Sequence, residues 1–120
     1  MTHHERLRDL IPMKPEAFTV LLTLLHEPGH GYGILQAAKA DPGARGDLQP
    51  GSLYRLLARL LDAHLVAELP ASEVPEGADT RRRYYRITNL GRQVVAAESE
   101  RMAALVDSAR RRLAGVEGEL

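Results

Sequence analysis

Residues 48–88 constrain this chain more than any other stretch. They read LQPGSLYRLLARLLDAHLVAEL, then a polar loop, then RRRYYRIT. Leu53, Leu56, Leu57, Leu60 and Leu61 recur at i, i+3, i+4, i+7 and i+8, which lays one apolar stripe along a helix. Opposite that stripe fall Arg55, Ala58, Arg59 and Asp62, with Tyr54 on the flank. Ser52 follows a Pro50-Gly51 turn and is placed to cap the helix, its hydroxyl accepting an orphan backbone N–H. The remainder reads as a hairpin, residues 66–69 pairing with 82–87 across a loop that holds Pro70, Pro75 and Gly77. A leucine-backed helix with a polar outer face, followed by an arginine-rich hairpin, suits a winged helix-turn-helix. Such a helix enters a major groove and the wing lies along the backbone.

Composition narrows the classes without choosing among them. At 120 residues and 44% hydrophobic, the chain is expected to form one modest core. It has no cysteine, so disulfides, thiolate zinc sites and thiol redox sensing are excluded. No apolar run approaches membrane-spanning length and the N-terminus MTHHERLRDL is too charged for a signal peptide, so a cytoplasmic protein without membrane partners is expected. Sixteen basic residues balance sixteen acidic ones, and whole-molecule charge gives no reason to invoke nucleic acid. The type of cation is more telling. Only Lys14 and Lys39 are lysine; the rest are arginine, which forks onto phosphates and guanine edges.

In chain order, residues 5–11 are a short helical candidate ended by Pro12, an arm for a partner subunit or a fraying end. Lys14-Pro15-Glu16 opens a core helix with proline at its first position, carrying Phe18, Leu21, Leu22 and Leu25, with Val20 and Leu24 adding apolar surface. Glu27-Pro28-Gly29 stops it. His30-Gly31-Tyr32-Gly33-Ile34 opens another helix, running to about Ala40. Two glycines in a first turn cost roughly 1 kcal/mol each against alanine. They are explained if something approaches the backbone closely there, either another helix or a phosphate. After the hairpin, Thr88 caps a long last helix over about residues 89–113, on which Leu90, Val94 and Val95 reach the core. Met102, Val106, Ala109, Leu113 and Val116 then alternate steps of four and three, the coiled-coil spacing. Roughly 26 helical residues span about 39 Å, more than so small a core can cover, so the distal half is expected to dimerise. Gly115 and Gly118 predict a frayed tail.

KPEAFTVLLTLLHEPGHGYGI, LQPGSLYRLLARLLDAHLV and RRRYYRITNLGRQVV together resemble the successive signature blocks of PadR-like transcriptional regulators, bacterial winged-helix repressors. The resemblance covers about residues 11–113, and the short C-terminal region is similar to the subfamily whose single last helix builds the dimer. It implies that Ser52, Tyr54 and Arg55 stand at the DNA-facing start of the recognition helix and that Arg81, Arg82 and Arg83 lie on the wing. Three features depart from the family pattern. Arg55 stands where many members carry proline or a small residue. His64 replaces the usual glycine after the recognition helix, where a left-handed backbone is expected. There is no tryptophan to stack a ligand in a dimer pore.

Blander readings compete with these. Arg81, Arg82, Arg83 and Arg86 would also serve as a solvated face balancing Glu73, Glu76 and Asp79. Strand parity separates the two tyrosines. Ile87 must face the core, so Tyr85 shares its side while Tyr84 points outward as a surface contact. His26 and His30 hint at a metal, but Pro28 and Gly29 break the helical spacing between them. No nucleophile elbow, phosphate loop or acid pair suggests an enzyme, and no cofactor is implied.

The chain is therefore expected to be α+β, mainly α: an arm over 1–13, a winged helix-turn-helix over 14–88 with a two-stranded wing, and a C-terminal dimerisation helix over 89–120. The expected function is a ligand-responsive repressor that binds a pseudo-palindromic operator in double-stranded DNA as a homodimer. Ser52, Tyr54, Arg55, Arg59, Arg81, Arg82, Arg83 and Tyr84 would meet DNA. Met102, Val106, Ala109 and Leu113 would meet the second subunit, with a small-molecule effector possible at that interface. A winged-helix module that binds only protein is the alternative.

Overall fold

A computed structural model describes residues 3–41, 43, 48–74, 77 and 82–119. Helix α1 (His3–Leu10) precedes α2 (Pro15–Thr23), the two-residue strand β1 (Gly29–His30), α3 (Gly31–Ala40) and α4 (Pro50–Asp62). Strand β2 (Val66–Glu68), a 3-10 turn at Ala71–Glu73, β3 (Tyr84–Ile87) and α5 (Asn89–Glu119) complete the order. The loop at 42 and 44–47 and the wing positions 75–76 and 78–81, Arg81 among them, lie outside the described residues.

The leucine stripe of α4 builds the core as its spacing requires. Leu53, Leu57 and Leu60 are buried, with Leu56 and Leu61 half-buried against them. On α2 the inward face is Ala17, Val20, Leu21 and Leu24, while Phe18, Leu22 and Leu25 pack on its flank. The stripe is thus turned from the predicted one, because α2 is covered by α3 on one side and α5 on the other. Ile34 and Leu35 of α3, Leu65, Val66, Tyr85, Ile87, Val94 and Val95 close the same cluster.

Ser52 does not cap α4. The helix starts three residues earlier, with Gln49 in the cap position and Pro50 in the first turn. The first backbone bond runs from Leu53 N–H to Gln49 C=O at 2.9 Å. Proline is favoured there because its missing N–H would have had no partner and its φ is already helical. Past the other end of α4, His64 adopts φ 61°, the left-handed turn that its place in the sequence demands.

The sheet has three strands rather than two, in the order β1-β3-β2, all antiparallel. His30 pairs with Tyr84 and Gly29 with Tyr85 on one side of β3; Val66 pairs with Ile87 on the other. The extra strand joins the wing to the start of α3.

Helix α5 is pinned to this unit at its first turn. Thr88 Oγ1 donates to His64 C=O at 2.6 Å and accepts Gly91 N–H at 3.0 Å, so Thr88 is the cap the sequence predicts. Gly91 lies so close to the Leu65 carbonyl that a Cβ there would stand 2.2 Å from the oxygen. Rather than fraying at Gly115, α5 stays helical for 31 residues, about 46 Å at 1.5 Å per residue. Its distal half leaves the core, which is why the radius of gyration is 17.1 Å where a compact chain of this length would have about 13.6 Å. The N-terminal arm packs on this chain's own α5, with Leu7, Leu10, Ile11 and Met13 against the core. Buried Glu98 fastens it, accepting Met13 N–H at 2.6 Å and a hydrogen bond from Arg101 Nε.

Two outcomes follow. Gly91→Ala meets a backbone carbonyl that cannot swing aside, so it should cost about 1–3 kcal/mol or more in urea unfolding. An unchanged midpoint would mean that α5 does not seat on Leu65. The Arg101 hydrogen bond, aided by Met13 N–H, holds the Glu98 carboxyl below the ordinary carboxylate range against the opposing effect of burial. Its stabilisation is therefore complete above that range and is lost as pH falls through the depressed value. Glu98→Gln should melt below the unsubstituted protein at pH 7, and the gap should close in acid; a gap independent of pH would contradict the ion pair.

Candidate nucleic-acid interface

The first turn of α4 and the base of the wing face the same solvent. Tyr54 is 56% exposed, and Arg55 and Arg59 are exposed beside it, because the leucine stripe takes the opposite side of the helix. Ser52 is half-buried and its Oγ accepts from Arg55 Nη2 at 3.3 Å, so the two predicted contacts form one local pair. An open cleft of about 420 Å³ separates this turn from the wing, lined by His30, Gly31, Tyr32, Tyr54, Arg82 and Arg83. The predicted residues Tyr54, Arg82 and Arg83 are thus brought together from α4 and the approach to β3.

The two described wing arginines are held differently. Arg83 makes a forked pair with Glu68 across the β2–β3 ladder, Nε to Oε1 at 3.0 Å and Nη2 to Oε2 at 2.7 Å. Its guanidinium also lies 5.8 Å from the Tyr85 ring centre. These hydrogen bonds hold the Glu68 carboxyl below its ordinary range and push the Arg83 guanidinium above its own. The side chain remains 64% exposed, so a phosphate would compete with Glu68 for it. Arg82 turns the other way, toward His30 and Tyr32. The opposed directions follow from the alternation of extended backbone.

Tyr84 is not a surface contact. It is 7% exposed: β1 pairs along the edge of β3, His30 stands opposite Tyr84, and its ring lies T-shaped to the tyrosine at 5.4 Å on the face that parity had left open. Tyr85 is buried in the core as parity requires, and burial pushes its hydroxyl pKa up.

His30, Gly31 and Tyr32 line the cleft although they were not among the predicted contacts. The signal was present in the two glycines of a helix start. What approaches Gly31 is the Tyr54 ring of α4: a Cβ at Gly31 would lie 2.8 Å from the tyrosine Oη. His30 Nδ1 accepts Gly33 N–H at 3.2 Å and so caps α3. Among the described residues no cluster of histidine or carboxylate side chains could hold a metal ion, and no helix is long and apolar enough to cross a membrane.

Comparison with known proteins bears on this geometry. A PadR family transcription regulator from Clostridium difficile superposes with a TM-score of 0.67 at 19% identity, covering 83% of this chain and 99% of the other. A transcriptional regulator from Clostridium thermocellum gives 0.65 at 20% identity, covering 89% and 93%. Bordetella bronchiseptica BpsR, whose DNA binding is described as regulated by 6-hydroxynicotinic acid, gives 0.59 at 18%, covering 88% and 74%. At such identities these structures speak to the fold. No curated protein matches the chain. The family model described as "Transcriptional regulator PadR-like family" matches residues 20–97, well over half of the sequence. On that match, the chain belongs to the PadR-like family of transcriptional regulators.

Proposed function

We propose that this chain is a ligand-responsive repressor that binds a pseudo-palindromic operator in double-stranded DNA as a homodimer. The observation that carries the DNA-binding part is the cleft, which sets the exposed face of α4 beside Arg82 and Arg83 of the wing. Tyr54, Arg55 and Arg59 would enter a major groove, and the wing arginines, Arg81 included, would hold phosphates that fix register. Zero net charge does not oppose this, since Arg82 and Arg83 line the same cleft as Tyr54 whatever the charge elsewhere.

The dimer reading rests on α5. Leu105, Val106, Leu113 and Val116 are 58%, 48%, 62% and 55% exposed, large apolar side chains in a stripe beyond the reach of the core. Ala109 is exposed and Met102 half-buried on the same stripe. A second copy of α5 would cover it in a two-fold manner, each residue being used twice. Two recognition helices would then meet successive major grooves about 34 Å apart. A small molecule bound between the subunits would change the angle of the two heads and so shift the population able to bind.

Two experiments test this. Arg55→Ala should relax preference at one base pair by about 1–3 kcal/mol if Arg55 forks onto a guanine edge. Selection from a random duplex pool measures it, and identical preferences for both proteins would remove Arg55 from the reading. Replacing Val106 and Leu113 by aspartate puts four unpaired charges into the two-fold seam. Sedimentation should then show a monomer with its far-UV circular dichroism largely kept and its operator affinity collapsed. A tight dimer after both substitutions would exclude α5 as the interface.

A further inference from the structure

His30 caps α3, and the position of its ring relative to Arg82 suggests a second role. Arg82 Nη1 lies 3.0 Å from His30 Nδ1 and 3.2 Å from Nε2. A nitrogen in the ring plane and nearly equidistant from both would collide with Cε1 between them. Arg82 Nη1 therefore sits over the face of the imidazole, a cation against a flat ring. The in-plane lone pair of Nδ1 is left for Gly33 N–H, at 3.2 Å. Tyr32 supplies a second ring, 5.9 Å from the Arg82 guanidinium carbon, and Tyr84 packs T-shaped with the imidazole at 5.4 Å. Tyr54 completes the cleft, its hydroxyl lying where only a residue without a side chain at position 31 leaves room.

We propose that His30 is a positioning residue for DNA binding: with Tyr32 it holds Arg82 in the cleft so that Arg82 and the Tyr32 and Tyr54 hydroxyls together receive one backbone phosphate. The inference rests on the DNA-binding reading above and gives each residue of the His30-Gly31-Tyr32 motif a separate task. Arginine suits the place because a guanidinium that commits one nitrogen to a ring still has its other N–H groups to offer a phosphate oxygen. Two rings that fix the guanidinium beforehand reduce the side-chain entropy lost when the phosphate arrives.

The test is a double-mutant cycle on the full chain, read by binding to a random-sequence duplex over a range of salt. His30→Asn keeps an N-cap acceptor for Gly33 while removing the ring. Tyr32→Ala removes the other wall at a side chain already 62% exposed. Arg82→Ala should flatten the slope of log K against log salt by about 0.9, the loss of one phosphate. His30→Asn and Tyr32→Ala should each weaken binding several-fold and flatten the slope in part. In the Arg82→Ala background the His30→Asn effect should shrink toward nothing, because a positioning residue has nothing left to position, while Tyr32→Ala should keep the part that belongs to its own hydroxyl. If His30→Asn weakens binding equally with and without Arg82, or leaves it unchanged while the protein binds the duplex, the positioning role is wrong and the DNA-binding reading stands. If the unsubstituted protein binds no duplex even at low salt, both fall together.

Discussion

One peptide carbonyl, that of Leu65, organises the molecule. It accepts Thr88 N–H at 3.0 Å and lies against the backbone of Gly91, while Leu65 N–H closes on Leu60 C=O at 2.9 Å. The end of α4, the start of the outgoing wing strand, the end of the returning strand and the first turn of the long helix thus meet within a few residues. His64 turns left-handed to make this possible, a conformation that costs a residue with a Cβ roughly 1–2 kcal/mol. Thr88 offsets it by bonding His64 C=O and capping α5 with one hydroxyl. Loosening this junction would free the wing and the long helix at once.

The parts of the fold that were legible in the sequence are those fixed by local rules. The leucine stripe of α4, the proline start of α2 and the Thr88 cap depend on residues a few positions apart, whereas the left-handed His64 was implied by the family resemblance. What could not be read depends on distant partners. Strand β1 is two residues long, too short to show any alternation, and it exists because Tyr84 and Tyr85 pair with it from more than fifty positions away. Without β1, parity sends Tyr84 into solvent; with it, the ring is covered. Glu98 is similar: nothing in its neighbourhood says that the N–H of Met13, 85 positions away, will fold against it. Ser52 failed for a local reason, since Pro50 and Ser52 both make good helix starts and the chain used the earlier one.

The candidate site was legible in its residue types and not in its arrangement. Arg82 and Arg83 are neighbours with the same chemistry, yet one is forked to a carboxylate across the sheet and the other lies between two aromatic rings. Backbone alternation alone separates them. A run of like charges on an extended segment is therefore two sets of charges on two surfaces, and only the neighbouring strands decide what each set meets.

The seating of α5 has a mechanical consequence. The helix is a rod of about 46 Å seated at one end on the winged-helix unit, with its apolar stripe toward the other. Gly91 lets the first turn of the helix sit directly against the Leu65 carbonyl. A tilt of about 5° at the far end of such a rod displaces the near end by about 4 Å, close to the spacing of one base step. The length of the lever turns an angular change too small to disturb side-chain packing into a displacement of several ångströms.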